Sequence, residues 1–128
     1  MVQGKLWPVN NWALQNVKGL YARNERVITY MQTEIGLVAI IKVGALNVGS
    51  ISVSYDDLRS NCNLSLIKKR DEVFYHQYQL PITVEKGDEI GVFNLGSSVV
   101  VLFEANSFFP NKNCRRGPIK MGTSLSDL

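Results

Sequence analysis

At 128 residues, with 45% hydrophobic and 20% charged side chains, the chain has the size and composition of one folded domain, which argues against disorder and against two independent cores. The longest apolar stretch, GLVAII at 36–41, stops at Lys42, far short of the ~20 residues a membrane-crossing helix needs, and VQGKLWPVN after Met1 has no apolar core of a secretory signal. Net charge is +3: residues 1–104 balance ten basic against ten acidic side chains, so the excess lies wholly in the last 24 residues, at Lys112, Arg115, Arg116 and Lys120 against Asp127. Such a tail predicts weak attraction to an anionic membrane surface. It carries no interleaved aromatic residues for base stacking, so no nucleic-acid partner is expected. Cys62, Cys114 and the single histidine, His76, have no ligand spacing, and no metal site is expected.

In chain order, Asn10 or Asn11 can cap a short helical turn over WALQNV (12–17). VITYMQT (27–33) and LVAIIKV (37–43) are rich in β-branched residues, with Glu34-Ile35-Gly36 as a hairpin connection. VGSISVSY (48–55) alternates serines against Gly49, Ile51, Val53 and Tyr55, the pattern of a half-buried strand. Residues 56–71 are polar and charged and predict a surface loop. EVFYHQYQL (72–80) alternates again and predicts a strand that Pro81 cuts short. Glu85-Lys86-Gly87-Asp88 is a turn, and EIGVFNL (89–95) and SVVVLFEA (98–105) are strands on either side of Gly96-Ser97. The expectation is a mainly β, single compact, largely antiparallel domain with a short N-terminal helical turn.

The chain contains no HExxH, Walker A, GxSxG or CxxC pattern. His76, between Tyr75 and Gln77, reads as a strand histidine. Gly96-Ser97 offers different chemistry. A serine hydroxyl can attack the carbonyl of the preceding residue and convert the amide to an ester, provided that the backbone is held in an unusual turn, which glycine tolerates. Donors must meet the developing oxyanion, and a base must take the hydroxyl proton. Elimination from the ester breaks the chain and leaves a dehydroalanine that hydrolyses to a pyruvoyl group. The dipeptide alone is a weak signal, since Gly49-Ser50 repeats it.

Its surroundings add specificity. KGDEIGVFNLGSSVVVLFE (86–104) closely resembles the cleavage segment of bacterial phosphatidylserine decarboxylases, Gly-x-Phe-x-x-Gly-Ser-Thr before an apolar strand. GKLWPVNNWALQNVKGLYARNERVI (4–28) is similar to the stretch of that family ending in F/Y-A-R-N-E-R-V. GLVAIIKVGALNVGSI (36–51) resembles its V-G-A-x-x-V-G-S-I stretch, and IKMGTSL (119–125) its segment after the pyruvoyl strand.

The resemblance implies a catalytic domain over 1–128, truncated at its N-terminus, that cuts itself between Gly96 and Ser97 into a β-chain part (1–96) and an α-chain part (97–128). Ser97 is then the self-cleavage nucleophile and the precursor of the pyruvoyl cofactor, which forms a Schiff base with the amine of phosphatidylserine and releases CO₂ to give phosphatidylethanolamine. Ser98, in the place of the family threonine, is a supporting hydroxyl. A histidine and an aspartate that activate the serine are implied in segments upstream of the match, and His76 does not correspond to that histidine. The resemblance further implies a peripheral enzyme on the cytoplasmic face of the cell membrane, working with an upstream chain or as a homo-oligomer. Two alternatives from other classes are an inactive fragment or non-catalytic lipid-associated β module, and a biotinyl- or lipoyl-type carrier. The carrier fits poorly, because Lys120-Met121 lies near the C-terminus rather than at a mid-domain hairpin.

Overall fold

The computed structural model describes residues 1–46, 50–60, 72–94, 98–111 and 117–126. Asn10 caps the first helix, α1 (Asn11–Asn16): its side-chain oxygen accepts from the Ala13 backbone N–H at 2.9 Å, the contact that favours asparagine at this position. A single further turn, α2 (Leu20–Arg23), starts after Gly19 in the left-handed conformation, φ 67°. The sequence pattern did not announce it.

β1 (Arg26–Thr33) and β2 (Gly36–Val43) form the expected hairpin, antiparallel from Thr33↔Gly36 to Arg26↔Val43, and Gly36 closes it at φ 104°. β5 (Ser98–Phe103) adds to the other side of β2, giving a three-stranded sheet of order β1-β2-β5. β3 (Ile51–Val53) and β4 (Gly91–Phe93) pair as a separate antiparallel ribbon. All three ladders are antiparallel and the chain is mainly β, as its alternation predicts.

Paired residues share a face, and the two faces of the larger sheet differ. Val27, Thr29, Val38 and Lys42 point inward and are buried. Val27 meets Ile51 and Val53 of the ribbon together with Ala45, so the core lies between the two sheets. On the opposite face Tyr30, Leu37 and Leu102 are exposed.

The N-terminal segment closes the open side of β1. Val2 bridges Arg26, and Lys5 exchanges hydrogen bonds with Arg23 and Glu25 at 2.8 Å. A Cβ on Gly4 would sit 2.7 Å from backbone atoms of Arg23, Asn24 and Glu25, so only glycine permits this approach.

The expected strand over 72–80 does not form. Val73 alone bridges Val2, while Tyr75 and Leu80 are 77% and 80% exposed. The segment meets the N-terminal residues at one end, where Phe74 N–H donates to the Met1 carbonyl, and among the described residues it pairs with no strand. Alternation supplied the pattern of a strand without a partner to complete it.

Candidate active site

Gly96 and Ser97 lie outside the described residues, so the site is defined by what brackets it. β4 belongs to the ribbon and β5 to the larger sheet, which leaves only residues 94–97 to carry the chain across. Residues 44–50, between β2 and β3, make the same crossing in the opposite direction. Val43↔Ser98 closes one ladder and Ile51↔Phe93 closes the other, so both crossings leave the sheets at one end.

A further rung joins the crossings there. The Asn94 backbone N–H donates to the Ser50 carbonyl at 3.2 Å, and the Asn94 side-chain amide donates to the Ser50 hydroxyl. On the far side Ser98, half-buried, begins β5 opposite the fully buried Val43. The row Val2–Arg26–Val43–Ser98 runs across the sheet, and at the usual strand spacing it places the chain start roughly 14 Å from Ser98.

β5 is paired with β2 along all six of its residues, so a break ahead of it leaves the strand in the sheet. In the second Gly-Ser copy, the Ser50 carbonyl and hydroxyl both accept from Asn94.

Two buried charged residues lie on the inward face at this end of the sheet. Glu25 is 2% exposed, and its carbonyl accepts from Gly44 N–H at 2.7 Å. Lys42 is 4% exposed and opposite Val99; its amine donates to Thr29 Oγ1 at 3.3 Å, and Thr29 shares a 2.6 Å bond with the Tyr55 hydroxyl. Burial pulls the Lys42 amine below the usual lysine value and pushes the Tyr55 hydroxyl up. Sequence reasoning passed over Lys42, although a single charge inside the apolar run LVAIIKV was a visible signal.

The sign of that shift gives a prediction. A buried amine of lowered basicity costs the fold its full desolvation penalty at neutral pH, and the cost falls as pH rises from the lowered value towards 10.5. Lys42→Met should therefore raise stability by about 1–3 kcal/mol at pH 7, with the gain shrinking at alkaline pH, as read by denaturant titration at several pH values.

A second set of ionisable groups lies elsewhere. An open cleft of about 600 Å³ outside the ribbon is lined by Ser52, Ser54, Tyr55, Asp56, Arg59 and Glu89 among others. Burial, together with the Asp56 carboxylate accepting its hydrogen bond, pushes the Tyr78 hydroxyl up to about 12. His76 packs edge-on against that ring at 4.6 Å and is exposed. With Asp57 added, acidic groups outnumber Arg59 in the cleft wall, which disfavours an anionic headgroup there.

The phosphatidylserine decarboxylase family profile matches residues 1–126. The chain belongs to that family. The phosphatidylserine decarboxylase proenzyme of Anaeromyxobacter sp. (strain K) is 45% identical over 103 residues, 80% of this chain and 35% of the relative. The proenzyme of Coxiella burnetii (strain RSA 493 / Nine Mile phase I) is 36% identical over 129 residues, 99% of this chain and 43% of the relative. That of Brevibacillus brevis is 39% identical over 125 residues, 96% and 42% of the two chains. The chain thus spans less than half the length of these relatives. No solved structure matches it.

As a phosphatidylserine decarboxylase family member, the chain explains the run Arg23-Asn24-Glu25-Arg26 structurally. Asn24 is fully buried and binds Trp7 at both backbone groups and the Gly44 carbonyl, at 2.9–3.0 Å. The Arg26 guanidinium donates to the Ala22 and Asn24 carbonyls, two charge-assisted bonds that hold the turn before β1. Among the described residues no helix is long and apolar enough to cross a membrane.

Proposed function

We propose that this chain is the self-processing part of a phosphatidylserine decarboxylase of phospholipid biosynthesis, cutting itself between Gly96 and Ser97. The observation that supports the reading is the pair of described residues that flank the dipeptide: Asn94, extending the β3–β4 ribbon, and Ser98, opening a strand of the other sheet that is paired along its full length. In the first step Ser97 Oγ gives up its proton and bonds to the Gly96 carbonyl carbon, while the amide C–N bond breaks and its nitrogen takes a proton. Loss of the Ser97 Cα proton then expels the Gly96 carboxylate, which parts residues 1–96 from 97–128 and leaves a dehydroalanine; one water adds to its imine form and ammonia leaves, giving the pyruvoyl group at the new N-terminus.

That group supplies an electron sink for release of the substrate carboxylate as CO₂, turning phosphatidylserine into phosphatidylethanolamine. The chain's own residues hold the crossing: Ser50 and Asn94 on one side, Ser98 and Val43 on the other. Approach to an anionic membrane from its cytoplasmic face is supported by Lys120, around which Ile119, Met121 and Leu125 are exposed.

The test measures intact mass and N-terminal blocking of the chain expressed alone and beside the remaining part of the Coxiella burnetii proenzyme. The relatives carry more than half their length outside the match, and the resemblance puts the activating histidine and aspartate there. The expected result is slow cutting alone, at least ~10³-fold slower than with the added part, into pieces of 96 and 32 residues. Phosphatidylserine vesicles should then release CO₂ in proportion to the blocked piece. An uncut chain in both arms overturns the reading and leaves a non-catalytic lipid-associated module.

A further inference from the structure

We infer that Ser50 and Asn94 are positioning residues for self-cleavage: together they clamp the crossing that carries Gly96-Ser97. The inference rests on the proposed self-processing and assigns a role to the second Gly-Ser copy.

β4 ends at Phe93 in the ribbon, and β5 starts at Ser98 in the larger sheet. The Val43↔Ser98 pair, within a six-residue ladder, anchors the downstream end. The upstream end would be loose, because β4 has only three residues and its last ladder pair is Ile51↔Phe93. Asn94 extends that ladder by one rung, with backbone and side chain both donating to Ser50. Only residues 95–97 remain between the two anchors.

Intramolecular attack depends steeply on such definition. A misplacement of about 1 Å at the reacting atoms costs on the order of 10²-fold in rate. Asn94 lies only two residues ahead of Gly96, so an anchor there limits how far the scissile carbonyl can move. The clamp also couples the two crossings: Ser50 ends the 44–50 connection, whose start Asn24 ties down through the Gly44 carbonyl. Removing either side chain leaves the backbone bond between residues 94 and 50 in place but without its side-chain brace, so the fold survives while the anchor weakens.

Ser50→Ala, Asn94→Ala and the double variant test this in the full chain co-expressed with the remaining part of the Coxiella burnetii proenzyme. Cutting, read as the blocked 32-residue piece or its hydroxylamine-trapped counterpart, should slow by about 10–100-fold in each single variant. The double variant should be no slower than the worse single, and Ser50→Thr, which keeps the hydroxyl, should restore most of the rate. Amide exchange supplies a readout independent of cutting: the Asn94 N–H should exchange at least tenfold faster in Ser50→Ala, with Ile28 and Ile41 unchanged. Normal cutting in the variants overturns the positioning role, and unchanged exchange at Asn94 overturns the clamp itself. An uncut wild-type chain refutes self-processing; faster exchange in Ser50→Ala would then show a tie that serves the fold alone.

Discussion

Ser97→Ala is expected to abolish processing altogether, leaving a single uncut chain under conditions in which the wild type is cut. Alanine removes the only atom that could bond to the Gly96 carbonyl, and no neighbouring hydroxyl inherits its place: Ser98 stands one residue further on, already at the first rung of β5. The expected loss exceeds ~10³-fold, the scale on which removing an attacking group acts in related acyl-transfer chemistry. Ser98→Ala should change the rate only mildly, since that hydroxyl supports rather than attacks. A Ser97→Ala chain that still splits at residue 96 would point to an outside protease and end the self-processing proposal. Thermal unfolding of the two variants should match the uncut wild type, which separates lost chemistry from lost structure.

Asn24→Ala should be the most damaging change to stability, lowering the unfolding free energy by about 3–5 kcal/mol and Tm by roughly 10–20 °C. Asn24 is wholly buried and makes three hydrogen bonds, two with the backbone of Trp7 and one with the Gly44 carbonyl. Alanine would leave the Gly44 carbonyl without this partner in the interior and both Trp7 backbone groups without it in part-buried positions, each costing about 1–3 kcal/mol to the extent that water is kept out. The same side chain joins the N-terminal segment to the start of the 44–50 crossing, so its loss should loosen both. Asn16→Ala is the control: exposed Asn16 donates to the Trp12 carbonyl within the first helix, and its loss should stay within about 0.5 kcal/mol. A loss below 1 kcal/mol for Asn24→Ala would mean that water replaces the amide.

The elements legible in the sequence were those whose signal is local. The β1–β2 hairpin followed from β-branched runs around a glycine turn, the Asn10 cap from its side chain, and the half-buried β3 from alternating serine and apolar residues. The 72–80 segment misled because alternation reports which side chains could face a core, not whether a strand edge stands ready. Its Tyr75 and Leu80 are left to solvent. Asn24 went unrecognised as the tie between two distant segments because its partners, Trp7 and Gly44, are seventeen and twenty residues away.

The sequence by itself determined the β1–β2 hairpin, the proposed cleavage dipeptide and the family, because each is written in contiguous residues. Only the tertiary structure decided that the strands divide into two sheets, that the two crossings meet at one end, and that Ser50 stands against Asn94. Those relations depend on pairing between residues up to 65 positions apart, as Val38 and Phe103 are, and local propensity carries no record of such pairing.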